Sequence, residues 1–66
     1  MESQANLRKI NSKIQLLKTT ATELSRLGEN TPFLVRNCNR ILASVKMLEI
    51  NISDLMDLYA NEKGEG

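Results

Sequence analysis

Residues 27–34 read LGENTPFL, and this stretch decides how the chain folds. A heptad pattern runs into it and a second runs out of it. It is either a kink in one long rod or a turn that sends the chain back on itself. Gly28 falls where the first pattern needs its next core residue, and glycine there would leave a hole. It reads instead as a helix C-cap in the left-handed conformation. Thr31 followed by Pro32 fits an N-cap and the first helical position, because proline needs no N–H there. The residue before a proline is also pushed out of the α region. Stop and start signals thus lie within five residues, which predicts a turn built on Gly28, Thr31 and Pro32.

Upstream, Leu7, Ile10, Ile14, Leu17, Ala21 and Leu24 recur at alternating spacings of three and four. That is an a/d seam of a coiled coil, with Leu7 at an a position. The remaining faces are polar apart from Leu16 and Leu27, so this helix has one packing stripe. Downstream, Leu34, Cys38, Ile41, Val45, Leu48, Ile52, Leu55 and Tyr59 repeat the pattern with Cys38 at a. A second stripe lies beside it at the e positions, Val35, Leu42 and Met56, interrupted by Glu49. Met47, Ile50 and Leu58 widen the apolar arc. One seam on the first helix cannot cover both stripes of the second, so the surplus predicts a partner chain or an exposed patch.

A reversal near Thr31 makes facing residue numbers sum to about 62. Leu7 then faces Leu55, Ile10 faces Ile52, Ile14 faces Leu48, Leu17 faces Val45, Ala21 faces Ile41 and Leu24 faces Cys38. Every layer pairs an a with a d, as an antiparallel coiled coil requires. The expectation is an all-α fold: a two-helix antiparallel coiled-coil hairpin over about 4–28 and 32–61, completing a larger helical bundle. The hairpin core is Leu7, Ile10, Ile14, Leu17, Ala21, Leu24, Cys38, Ile41, Val45, Leu48, Ile52 and Leu55. The partner-binding side is Val35, Leu42, Met56 and Tyr59. The alternative is one long kinked helix, since Thr31, Val35, Cys38, Leu42, Val45, Ile52, Met56 and Tyr59 continue the first helix's phase. Proline inside a helix costs about 3 kcal/mol, which a large assembly could absorb. Ser3 reads as the first cap. Lys63 and Gly64 read as the last-turn cation and stop, leaving 62–66 as a frayed tail.

Composition agrees with a single small domain over 1–66. A domain of this size buries only about 60% of its unfolded surface and usually needs disulfides, a metal or partner chains. The chain has one cysteine and no histidine, which rules out an internal disulfide and a structural zinc site. Partner chains remain: other helical subunits, or a second copy in a homodimer. Aromatics are 3% of residues, Phe33 and Tyr59, which suits a helical bundle better than an aromatic-rich globular core. "MESQANLRKI" has no apolar core of a signal peptide, and no run reaches the roughly 18 apolar residues of a membrane span. An intracellular protein, cytoplasmic or nuclear, is the expectation. The charge is polarised: residues 1–46 carry eight basic against three acidic residues, and residues 47–66 carry one against five. A hairpin brings the basic start beside the acidic end.

Reaction chemistry is not expected. General acid–base work wants a group titrating near neutrality, and no histidine or convergent carboxylate pair is present. Cys38 has no histidine base and sits at a core position, where a small buried hydrophobe is the better reading. The three glycines form no phosphate-cradling loop, so no cofactor, metal or small-molecule ligand is expected. Arg36, Arg40 and Lys46 share one side of the second helix but lack stacking aromatics, which argues against nucleic acid. Coiled-coil seams without bulky aromatic anchors argue against membrane-surface binding.

LVRNCNRILASVKM, residues 34–47, resembles a segment of the small Dad-type subunits of the fungal DASH complex. The matching residues are Leu34, Val35, Asn37, Ile41, Leu42, Val45 and Met47, with Cys38 where that family carries tryptophan. The similarity extends over roughly residues 7–55, including a polar, leucine-bearing first helix and a short glycine-containing break. It implies a structural helix in a heteromeric kinetochore complex that oligomerises on spindle microtubules in mitosis and couples chromosomes to them for segregation. Such a subunit has no site of its own. The expected function is therefore that of a structural, non-catalytic coiled-coil subunit acting through protein–protein interaction. A self-associating helical-hairpin scaffold or regulator is the alternative.

Overall fold

The computed structural model describes residues 4–65, with side chains described over 5–59. It contains two helices, α1 (Gln4–Leu27) and α2 (Pro32–Glu65). At 1.5 Å per residue, the 34 residues of α2 span about 51 Å. The whole molecule is 54 Å long and 16 Å across, so the long axis is one helix and α1 is folded back beside it. The chain is an antiparallel hairpin, not a kinked rod.

The turn forms as its residue types require, with one exception. The Gly28 N–H donates to the Leu24 carbonyl at 2.9 Å, the last α-helical bond of α1. The Glu29 N–H donates to the Arg26 carbonyl at 3.3 Å, and the Thr31 N–H to the Gly28 carbonyl at 2.8 Å. The Thr31 carbonyl accepts from Leu34 N–H at 3.0 Å and Val35 N–H at 3.1 Å, opening α2. Thr31 is thus the N-cap by its backbone, and Pro32 takes the first helical position. The exception is Gly28. No residue described has a positive φ, so glycine is not needed here for a left-handed cap. It is needed for space. A Cβ built on Gly28 would overlap Cδ2 of Leu34 and come within 3.0 Å of its Cγ. With the Leu34 side chain placed as it is, the turn leaves room for no more than a hydrogen atom at position 28.

That contact fixes the register. Gly28 is level with Leu34, and each step back along α1 is matched by a step forward along α2. Leu17 is then level with Val45, and Ile14 lies between Val45 and Ile52. The buried side chains are Leu7, Ile14 and Ala21 of α1 and Cys38, Val45 and Ile52 of α2, all a positions. They interleave as one column that tapers from Leu7, Ile52, Ile14 and Val45 at the open end to Ala21, Cys38 and Gly28 at the turn. Ile10, Leu55 and Tyr59 pack against the broad end.

At the other end, α2 continues through Gly64 to Glu65, past the stop expected at Lys63 and Gly64. Glycine permits a break but forces none, and the backbone of residues 62–65 is helical. The proposed Ser3 cap and the side chains of residues 60–66 lie outside the described residues.

Candidate interaction surface

The a rows are buried, but the d rows are not. Leu17, Leu24, Ile41 and Leu48 were expected in the hairpin core, and each is between 40% and 50% exposed. Ile10 and Leu55 are half-buried. The e positions of α2 turn inward in their place: Val35 and Leu42, expected on a partner-facing side, are half-buried, and Tyr59 lies against the core. Of the expected partner-binding set only Met56 is an exposed hydrophobic. Each helix is therefore rotated so that its a and e positions point at the other. The cause is the tapered column. Helices drawn together over Gly28, Ala21 and Cys38 leave no room between them for Leu24, Ile41 or Leu17, which are displaced to one flank.

Both d rows emerge on the same flank. With 100° per residue, d lies about 80° to one side of the a/e contact direction and b about 80° to the other. Reversing the second helix keeps like positions together across the seam. Ile10, Leu17 and Leu24 of α1 thus run beside Leu34, Ile41, Leu48 and Leu55 of α2. The g positions edge this face with Asn6, Lys13, Thr20 and Leu27 on α1 and Asn37, Ser44, Asn51 and Leu58 on α2. Lys13 is the single charge among them. The result is a long, nearly uncharged apolar face with small polar edges, the profile of a helix-packing surface.

The opposite flank is polar and closed. Gln15 Nε2 donates to Glu49 Oε2 at 2.8 Å, and Lys18 Nζ reaches the same oxygen at 3.4 Å. Glu49, the residue that interrupts the apolar e stripe, is thus the polar clasp across the seam. The signal was legible: the e row of α1 is Asn11, Lys18 and Ser25, polar where the e row of α2 is mostly apolar. The Gln15 hydrogen bond holds the Glu49 carboxyl below its ordinary value of 4.5, partly opposed by desolvation and helped by Lys18 and then Lys46. A carboxyl depressed by folding stabilises the fold above its unfolded value, and that contribution disappears as pH falls through the lower folded value. Melting temperature should therefore fall below about pH 4.5 more steeply in the native chain than in Glu49→Gln. Parallel melts between pH 7 and pH 3 that show identical slopes would remove this role.

No described group of three His, Cys, Asp or Glu side chains could hold a metal ion. Cys38 is a free thiol buried in the central column. With Cys38 buried and Gly28, Thr31 and Pro32 forming the turn, the apolar surface left open is the d face. Among the described residues no helix is long and apolar enough to cross a membrane. Compared with known proteins, the chain matches no protein-family model, no curated protein and no solved structure.

Proposed function

We propose that this chain is a structural, non-catalytic assembly subunit whose d face is docked by helices of another chain. The observation that carries the reading is the half-exposure of Leu17, Leu24, Ile41 and Leu48 along one flank. A hairpin whose core is essentially one column of side chains is thinly stabilised alone. Covering those four aliphatics would add the missing apolar burial, worth roughly 25 cal/mol per Å² removed from water. The similarity of residues 34–47 to DASH subunits suggests the setting: a heteromeric helical complex coupling kinetochores to microtubules. There the face would meet neighbouring helical subunits.

The test is recovery of partner chains with the tagged protein from native cells. Leu48→Asp puts a charge at the centre of the face and should lower recovery about 100-fold, as loss of a central interface anchor does. Ser53→Asp, at a b position on the opposite flank, should leave recovery within about 2-fold. Equal recovery with both variants would overturn the reading.

A further inference from the structure

We infer that the d face is covered by a second copy of this chain, forming an antiparallel four-helix bundle about a two-fold axis parallel to the helices. This rests on the d face being the docking surface, and it names the occupant. In such a pair α1 of one copy lies on α2 of the other, running antiparallel at the register already set within the chain. Every pair of neighbouring helices is then antiparallel, and the d rows interleave between copies as the a rows do within one.

What selects a second copy is the row of c positions on the backs of the helices. On α1 these are Lys9, Leu16 and Glu23; on α2 they are Arg40, Met47 and Asp54. Within one chain the two rows point in opposite directions, and all six residues are exposed. Across the two-fold they run along the same outer edge. The register places Lys9 level with Asp54, Leu16 with Met47 and Glu23 with Arg40 of the second copy. Cation meets anion, apolar meets apolar, anion meets cation. The alternative two-fold, perpendicular to the helices at the level of Leu16 and Met47, sets Lys9 against Glu23 and Arg40 against Asp54, so the c rows complement a second copy in either arrangement, and a reciprocal swap of Lys9 and Asp54 separates the two. The pairing also accounts for the exposure of Leu16 and Met47, which the hairpin alone leaves unexplained.

The area is sufficient. A face about 36 Å long, the length of α1, and about 16 Å wide presents roughly 600 Å² on each copy, or about 1,200 Å² in all, the lower bound for a specific interface.

The experiment is sedimentation equilibrium on the purified full chain, with a reciprocal charge swap. The native chain should be a dimer at micromolar concentration. Lys9→Glu and Asp54→Lys each break two symmetry-related rim pairs and should each raise the dissociation constant about 3- to 10-fold. The double variant, Lys9→Glu with Asp54→Lys, restores opposite charges and should return to within about 2-fold of native. Both positions lie on the backs of their helices, so circular dichroism should show the hairpin intact in all three. A helical monomer persisting to about 100 μM would overturn the second copy as occupant. A dimer in which the two substitutions weaken association additively without restoration would overturn the two-fold parallel to the helices. If the monomer still recovers other helical chains through Leu48, the assembly-subunit reading survives alone. If Leu48→Asp changes neither, both fall.

Discussion

Val45→Asp is expected to abolish folding and assembly together. Val45 is 3% exposed and sits in the central column between the levels of Ile14 and Ala21, with Ile52 one heptad away. Replacing it forfeits about 1.5–3 kcal/mol of apolar burial. It also buries a carboxylate with no cation in the column, which adds several kcal/mol more. The total, at least about 4 kcal/mol, matches everything that a core of this size supplies. The far-UV helical signal should collapse at room temperature. Arg36→Asp is the control. Arg36 is exposed at an f position near the start of α2, where the helix dipole favours an acid. Its effect should stay within about 0.5 kcal/mol. Equal losses in thermal melts of the two variants would mean that the a row of α2 does not point inward.

Gly28→Leu is expected to be the second most damaging substitution, at about 3 kcal/mol, from overpacking at the narrow end of the column. The isobutyl group has no space beside Leu34 without prising the helices apart, and a shift there is transmitted along every level of the hairpin. The mechanism can be separated from a backbone preference. Because Gly28 has no positive φ, asparagine, which tolerates the left-handed region, should be no better there than alanine. Gly28→Ala in the native chain meets Leu34 Cγ at 3.0 Å and the Leu24 carbonyl at 3.3 Å and should destabilise, despite the entropic advantage of alanine over glycine. In a Leu34→Ala background the overlap with the leucine side chain is gone, leaving only the 3.3 Å approach to the Leu24 carbonyl, and the same Gly28→Ala change should become stabilising by a few tenths of a kcal/mol. A change of sign in chemical-denaturation midpoints identifies packing as the reason for glycine. A constant sign identifies something else.

Both predictions turn on what could and could not be read from residue order. The two helices and their termini near Leu27 and Pro32 were legible, because heptad spacing and the Gly-x-x-Thr-Pro signals are local. The register was legible too, since a turn this short ties Gly28 to Leu34 and so sets every level beyond it. The inward rotation of the helices was not. The row Leu17, Leu24, Ile41, Leu48 and the row Val35, Leu42 flank the same a column on either side. Burying one or the other recovers comparable apolar area. Period alone therefore assigned the leucines of the d rows to the core and Val35 and Leu42 to a partner, and the folded chain exchanges them. Gly28 was likewise recognised as a turn residue, but for its conformational freedom and not for its size.

The sequence by itself thus determined that this chain is two helices joined by a tight turn, with an apolar surplus on α2 and opposite charge at its two ends. Helical period, capping and proline geometry act over a few residues and need no tertiary context. Only the tertiary structure decided which side of each helix closes and which stays open. That choice depends on interhelical distance, set jointly by Gly28, Ala21 and Cys38 from both helices. Where those small residues draw the backbones together, bulky d leucines cannot enter and the e side, with the Gln15–Glu49–Lys18 clasp, closes instead. The leucines are left along one uncharged flank, and the surface proposed for docking is the face its own turn is too tight to bury.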